Sequence, residues 1–296
     1  MTEQSDQTNP RKSPLLEGWQ NEVLTGSVHN PTFFQKLLGR HYKWWYIAVF
    51  HFKLEGAYFV SSLLHFFGQS ISVYTAFLIW YASNPSRETL TSLIVGLIIF
   101  AITNNTIYWN VGGLIESGKL SKFLISPSNF FGVMLGISFG FAVRIITYYI
   151  VILTPIFMIF STKLLPLPSF SALVLIFLIS LIVIIIRFLL ACIVGFTAFW
   201  TTQVYGQSNF YENLLPLLGG VLFPYQLITE PIIKNVLIIL PWSFIAYHPM
   251  QIYLGKYSTL ETFYVFLGGL TWCFTLYFLA KWVFKMGLKK NEAVGL

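Results

Sequence analysis

Apolar and polar positions divide the chain into long, nearly uncharged apolar runs joined by short polar turns. Runs of about twenty such residues have the length needed to cross ~30 Å of hydrocarbon. Residues 1–30 are rich in Ser, Thr, Asn, Gln and Pro with no helical period, which predicts a disordered cytosolic tail. Over 31–56, Lys36, Arg40 and Lys43 share one helical face beside Phe33, Phe34, Leu37, Leu38, Trp44, Trp45 and Ile47. That pattern predicts an amphipathic helix lying in the headgroup plane. Membrane spans are predicted over 57–81, 90–111, 130–160, 170–200, 209–222 and 262–284. The stretch 214–254 differs, because Pro216, Pro224, Pro231, Pro241 and Pro249 cut it into short pieces. Proline removes a backbone donor and interrupts a helix, so 223–259 is expected to be a broken, re-entrant segment on the outer side before the last helix. The expected fold is an all-α polytopic membrane protein, with an interfacial helix, a six-helix domain over 57–290 and a C-terminal tail over 291–296.

Several polar groups interrupt these runs. His65 and Gln69 lie one turn apart in the first span, and the second ends on Asn104, Asn105, Thr106 and Asn110. Ser128, Gly132, Gly136, Gly140 and Arg144 recur at every fourth position, a stripe of small residues against which another helix can pack closely. Arg187 sits within the fourth run. At 1.5 Å per residue, Arg144 and Arg187 fall about 25 Å from the hairpin tip between the third and fourth runs. Glu212, near the start of the fifth, falls at a similar depth. An intramembrane charge cluster of Arg144, Arg187 and Glu212 is therefore expected, with Glu212 as the counter-charge. Glu230 and His248 in the outer segment read as surface polar groups.

Composition fixes the class. Hydrophobic residues make up 56% of the 296 and charged residues only 10%, against the ~25% of a soluble domain, and mean hydropathy is +0.69. The apolar runs are continuous rather than alternating, which disfavours a β-barrel. Net charge is +7, but the basic residues flank apolar segments and form no separate domain, which argues against nucleic acid as a partner. With six crossings and the N-terminus inside, twelve of the 18 Lys and Arg fall on inner segments and four on outer ones. The positive-inside rule then places both termini and the 112–127 loop in the cytoplasm. Cys192 and Cys273 read as small core residues. No His/Asp/Glu cluster with metal-ligand spacing and no Ser with a matching base is visible, so neither a metal site nor an enzyme is expected.

The most informative polar stretch is Gly113 to Pro127. Gly113, Gly118 and Lys119 have the spacing of a P-loop, but Leu120 stands where Ser or Thr would hold Mg²⁺, and a membrane helix precedes it instead of a strand. Docking on a nucleotide-binding partner is the better reading. Ile115-Glu-Ser-Gly-Lys-Leu-Ser-Lys-Phe-Leu-Ile-Ser-Pro127 resembles the first cytosolic loop of the permease subunits of ABC-2 (exporter class) ABC transporters. Leu222-Phe-Pro, Leu240-Pro-Trp, His248-Pro-Met-Gln-Ile-Tyr-Leu-Gly255 and Phe199-Trp-Thr201 are similar to their outer segment and fourth span. The likeness covers about residues 31–290; Arg187 is a departure from it.

The resemblance implies a permease subunit in the plasma membrane (the bacterial inner membrane). It would export a substrate with ATP and Mg²⁺ bound by a separate ATPase subunit, holding no cofactor itself and pairing with a second permease. The loop would dock on the ATPase, with Glu116, Lys119 and Lys122 meeting charges and Leu114, Ile115, Leu120, Phe123 and Leu124 as apolar anchors. The alternative is an ATPase-independent secondary transporter or channel. Against it, no span contains Asp, and carboxylates near membrane depth are few.

Overall fold

The computed structural model describes residues 86–125, 129–148, 168–201 and 203–293, with isolated helical positions between Val49 and Ala82. The expected tail, interfacial helix and first span lie outside the described residues, apart from those positions. All regular structure among the described residues is helical.

The second apolar run is not one helix. Ser86 caps α1 (Arg87–Ile102), its side chain accepting from the Thr89 N–H at 3.2 Å. Helical backbone then lapses, and α2 (Ile107–Glu116) starts afresh. The side chains of Thr103, Asn104, Asn105 and Thr106 can all compete for backbone partners, and Thr103 Oγ1 does so at Ile99 O (2.8 Å). The whole stretch Glu88–Glu116 is still apolar enough to cross a membrane, so a broken span replaces the continuous one expected.

After α3 (Leu120–Ile125) come α4 (Phe130–Tyr148) and α5 (Phe170–Phe196). Ser169 caps α5 through the Ala172 N–H. At 27 residues, α5 is about 40 Å long and is the hub of the fold. It packs against α2, α4, α7 (Tyr205–Leu218), α9 (Tyr247–Tyr253) and α10 (Thr259–Ala293). Ile179, Val183, Ile186, Cys192 and Phe196 on α5 are fully buried. Gly195 lets α2 approach, since a Cβ there would stand 2.7 Å from that of Val111. At the loop end, α6 (Ala198–Thr201) continues the span, and Phe130, Phe131, Phe196, Phe199 and Phe284 form one aromatic cluster joining α4, α5, α6 and α10.

Four helical stretches among the described residues are long and apolar enough to cross a membrane. A fifth is available if the bent pair α8 (Pro231–Ile239) and Pro241–Tyr253 is one span. The expected fifth span, 209–222, lies four residues earlier and is equally long, being the 14-residue α7. Pro216 lies inside α7 rather than breaking it; the helix ends two residues later, at Leu218. Pro231 and Pro241 open helices, where the missing N–H is no loss. The two pieces meet at 74°. His248 is not a surface group: it is buried, bridging Tyr257 Oη (2.8 Å) and Ile238 O (3.1 Å). Ser243 Oγ also donates to Ile238 O, and Trp272 Nε1 to Ile239 O. The bend thus holds because side chains take up carbonyls that end α8.

The stretch Glu88–Glu116 is 67% buried over its apolar window and the α10 stretch only 17%. Leu260, Phe263, Leu267, Phe274, Phe278 and Trp282 line the open side of α10. Such an apolar surface suits lipid rather than water.

Candidate functional site

The polar loop is a helix-to-helix corner built on Gly118. Its φ of +68° is the left-handed conformation that glycine adopts without penalty. Around it, Ser117 N and Gly118 N donate to Gly113 O and Ile115 O at 3.1 Å each. Ser117 Oγ donates to Gly113 O, and Ser121 Oγ to Gly118 O. The P-loop-like glycine spacing therefore marks the end of a helix, not a phosphate cradle opening one.

The expected docking residues divide into base and tip. Leu120 is 2% exposed, inside the same core cluster as Ile107 and Val111. It supports the corner from within and is not available as a surface anchor. Leu114 and Ile115 are half-buried against that cluster. Lys119 is exposed and Leu124 is 49% exposed. Lys122 and Phe123 lie in α3, but their side chains, like residues 126–128, fall outside the described set. Glu116 is already engaged within the chain: its Oε1 accepts the Val204 N–H at 2.6 Å. Val204 is the N-cap of α7, so the carboxylate sits at the positive end of that helix.

Arg187 and Glu212, expected to pair, have other partners. Arg187 is 2% exposed and forms no ion pair with Glu212. Its guanidinium donates to Phe100 O (2.5 Å), Thr103 Oγ1 (3.1 Å) and Asn104 Oδ1 (2.8 Å). It lies 4.4 Å from the centroid of the Phe100 ring, within reach of the Tyr211 phenol. Phe100 O belongs to the last turn of α1, the negative end of that helix. Helix end and side-chain oxygens together replace a carboxylate, and charge-assisted bonds of this kind contribute about 1.5–3 kcal/mol each. Glu212 instead accepts a hydrogen bond from the Tyr108 phenol of α2. Arg144 is buried in α4, its guanidinium 4.6 Å from the Phe141 ring centroid. Gly132, Gly136 and Gly140 of its stripe are buried with it.

Thr103, Tyr108, Val204 and Tyr211 are partners that sequence reading missed. The run Thr103-Asn-Asn-Thr106 was the available signal, being too polar for the middle of a span. Beside Tyr211, a cleft of about 460 Å³ opens between α5, α7 and Trp242, lined also by Gln207, Phe210 and Leu214.

A family model described as ABC-2 family transporter protein matches residues 86–295. No curated protein and no solved structure matches the chain.

Proposed function

The chain belongs to the ABC-2 transporter family, and from that premise, a multi-pass permease component of an ABC transporter, we propose that it exports its cargo using a separate ATPase subunit docked on the Gly113–Pro127 loop. The corner itself supports this reading. Leu120 fixes its base in the core while Lys119 and Leu124 stand out at its tip. A tip so held offers a charge and an apolar anchor at little ordering cost, and passes on a push rather than yielding to it. ATP and Mg²⁺ belong to the partner; this chain supplies the membrane path and the handle.

A second permease, identical or related, completes that path. Both termini and the loop face the cytoplasm of the bacterial inner membrane, as the excess of inner lysine and arginine suggests. The span at 57–81 and the fifth span, α7, bring the crossings to six, with the bent α8–α9 pair re-entering from the outer face. Its exposed Ile232, Ile233, Val236 and Ile239 suit that burial.

Affinity purification of the tagged chain from its own membranes tests the docking. An ATPase subunit should co-purify and drop at least about tenfold when Lys119→Glu, Phe123→Glu and Leu124→Glu are combined, since losing an anchor cluster costs 1.4 kcal/mol or more. Unchanged recovery would overturn the loop's role.

A further inference from the structure

Helices α1 and α2 are halves of one span. Helix α2 lies along α5, packed there through Val111 and Gly195, and the two halves differ in what else they hold. Helix α2 is tied to α7 at both ends: Tyr108 donates to Glu212 near the break, and Glu116 accepts from Val204 N–H at the loop. Between them Gly112 lies so close that a Cβ would stand 2.5 Å from Val204 Cγ1. Helix α1 packs instead on the outer segment. A Cβ at Gly96 would meet Ala246 Cβ at 3.5 Å, and Glu88 pairs with Lys256.

Residues 103–106 separate these two bodies. Both amide atoms of Asn105 are buried there with no hydrogen-bond partner among the described residues. Buried amides are rarely left so, and a segment whose bonding is incomplete in one conformation is suited to a second. Arg187 holds it from the side of α5, the hub that touches both bodies.

We propose that residues 103–106 are the elbow of the transport stroke, that α2 and α7 swing about it as one body, and that Arg187 is the positioning residue that fixes the pivot. The source of the push rests on the ATPase reading above; the elbow does not. A continuous span would carry a push along its axis into α1. A broken one diverts it sideways into α7, the element to which α2 is strapped. The Arg187 fork keeps the carbonyl end of α1 satisfied while the angle changes, because a guanidinium has donors to spare.

Spin-label distances on the purified chain in lipid nanodiscs, with Cys192→Ala and Cys273→Ala, test this. Labels at Ser86→Cys and Ser117→Cys span the elbow; labels at Ser117→Cys and Leu217→Cys span the α2–α7 clamp. Arg187→Met should widen the elbow distribution by about twofold or more and leave the clamp as in the parent, as expected of a freed hinge. Arg187→Lys should fall between. Thr103→Val, which removes one acceptor and keeps the arginine, gives an independent route to the same widening. Tyr108→Phe should widen the clamp and not the elbow. The proposal is overturned if the elbow stays as narrow in both Arg187→Met and Thr103→Val, or if both distances widen together in each. In the ATPase-bound complex, nucleotide trapping should shift the elbow distance alone; a shifted clamp overturns the proposal. Failure of any ATPase to bind would defeat the docking reading, with the elbow still decided by the isolated chain.

Discussion

Gly112 and Gly113 are neighbours in α2, yet an alanine should act in opposite directions at the two. At Gly113 an added Cβ meets nothing within 4 Å. Alanine there gains helix propensity, worth up to ~1 kcal/mol. At Gly112 the same Cβ would stand 2.5, 2.8 and 3.3 Å from Val204 Cγ1, Cβ and Cγ2. Ordinary contact begins near 3.4 Å, so α2 and the start of α7 must part by about 0.9 Å, the difference between 3.4 and 2.5. Overpacking of this kind costs ~1–3 kcal/mol. Both substitutions carry the same propensity gain, so the difference between the two alanine variants isolates the clash. At about 2–4 °C per kcal/mol for a chain of this size, Gly112→Ala should melt several degrees below Gly113→Ala. In a Cys273→Ala background a thiol-reactive dye reports the transition in detergent, because the remaining thiol, Cys192, is buried in the folded chain. Val204→Ala removes the two nearest methyls and should recover part of the loss. Equal melting temperatures would show that α2 and α7 are not in the contact described.

Other expectations follow from single contacts. His248→Ala strips the bend of a partner for Ile238 O and Tyr257 Oη and should destabilise by about 1–3 kcal/mol, read as a lower melting temperature. Phe284→Ala empties the centre of the ring cluster around Phe130 and Phe196; a loss of about 3–5 kcal/mol is expected. Lys256→Gln breaks the pair with Glu88, whose side chains are 42% and 52% exposed, and should change stability by less than ~1 kcal/mol. In the folded chain a maleimide should leave Cys192 unmodified, and heating should expose it; mass spectrometry counts the adducts.

Much of this molecule was legible in its sequence, and the misses share a cause. Hydropathy found the spans at α4, α5 and α10 because each is a property of a window. The same averaging concealed the break after Ile102: Thr103–Thr106 are outvoted by the apolar residues on either side. Counting 1.5 Å per residue placed Arg187 and Glu212 at similar depth, but depth says nothing of azimuth. The acceptors Arg187 found include Phe100 O, and backbone carbonyls at a helix end carry no residue signature. Likewise Glu116 reads as a surface acid until the fold brings the Val204 N–H beside it. The prolines were read as breaks, and at Pro231 and Pro241 they mark where helices begin. The corner was visible as a motif, but Leu120 shows how a six-residue helix hides one face in the core.

The central claim is that the corner between α2 and α3 is a cytosolic handle on a membrane gate. A single cysteine at exposed Ser117 or Lys119, in a chain with Cys192→Ala and Cys273→Ala, tests it with a membrane-impermeant maleimide. The account predicts no labelling on cells whose inner membrane is intact and full labelling on inverted vesicles. Labelling from the outside of intact cells would place the handle where no ATPase could reach it, and the account would fail.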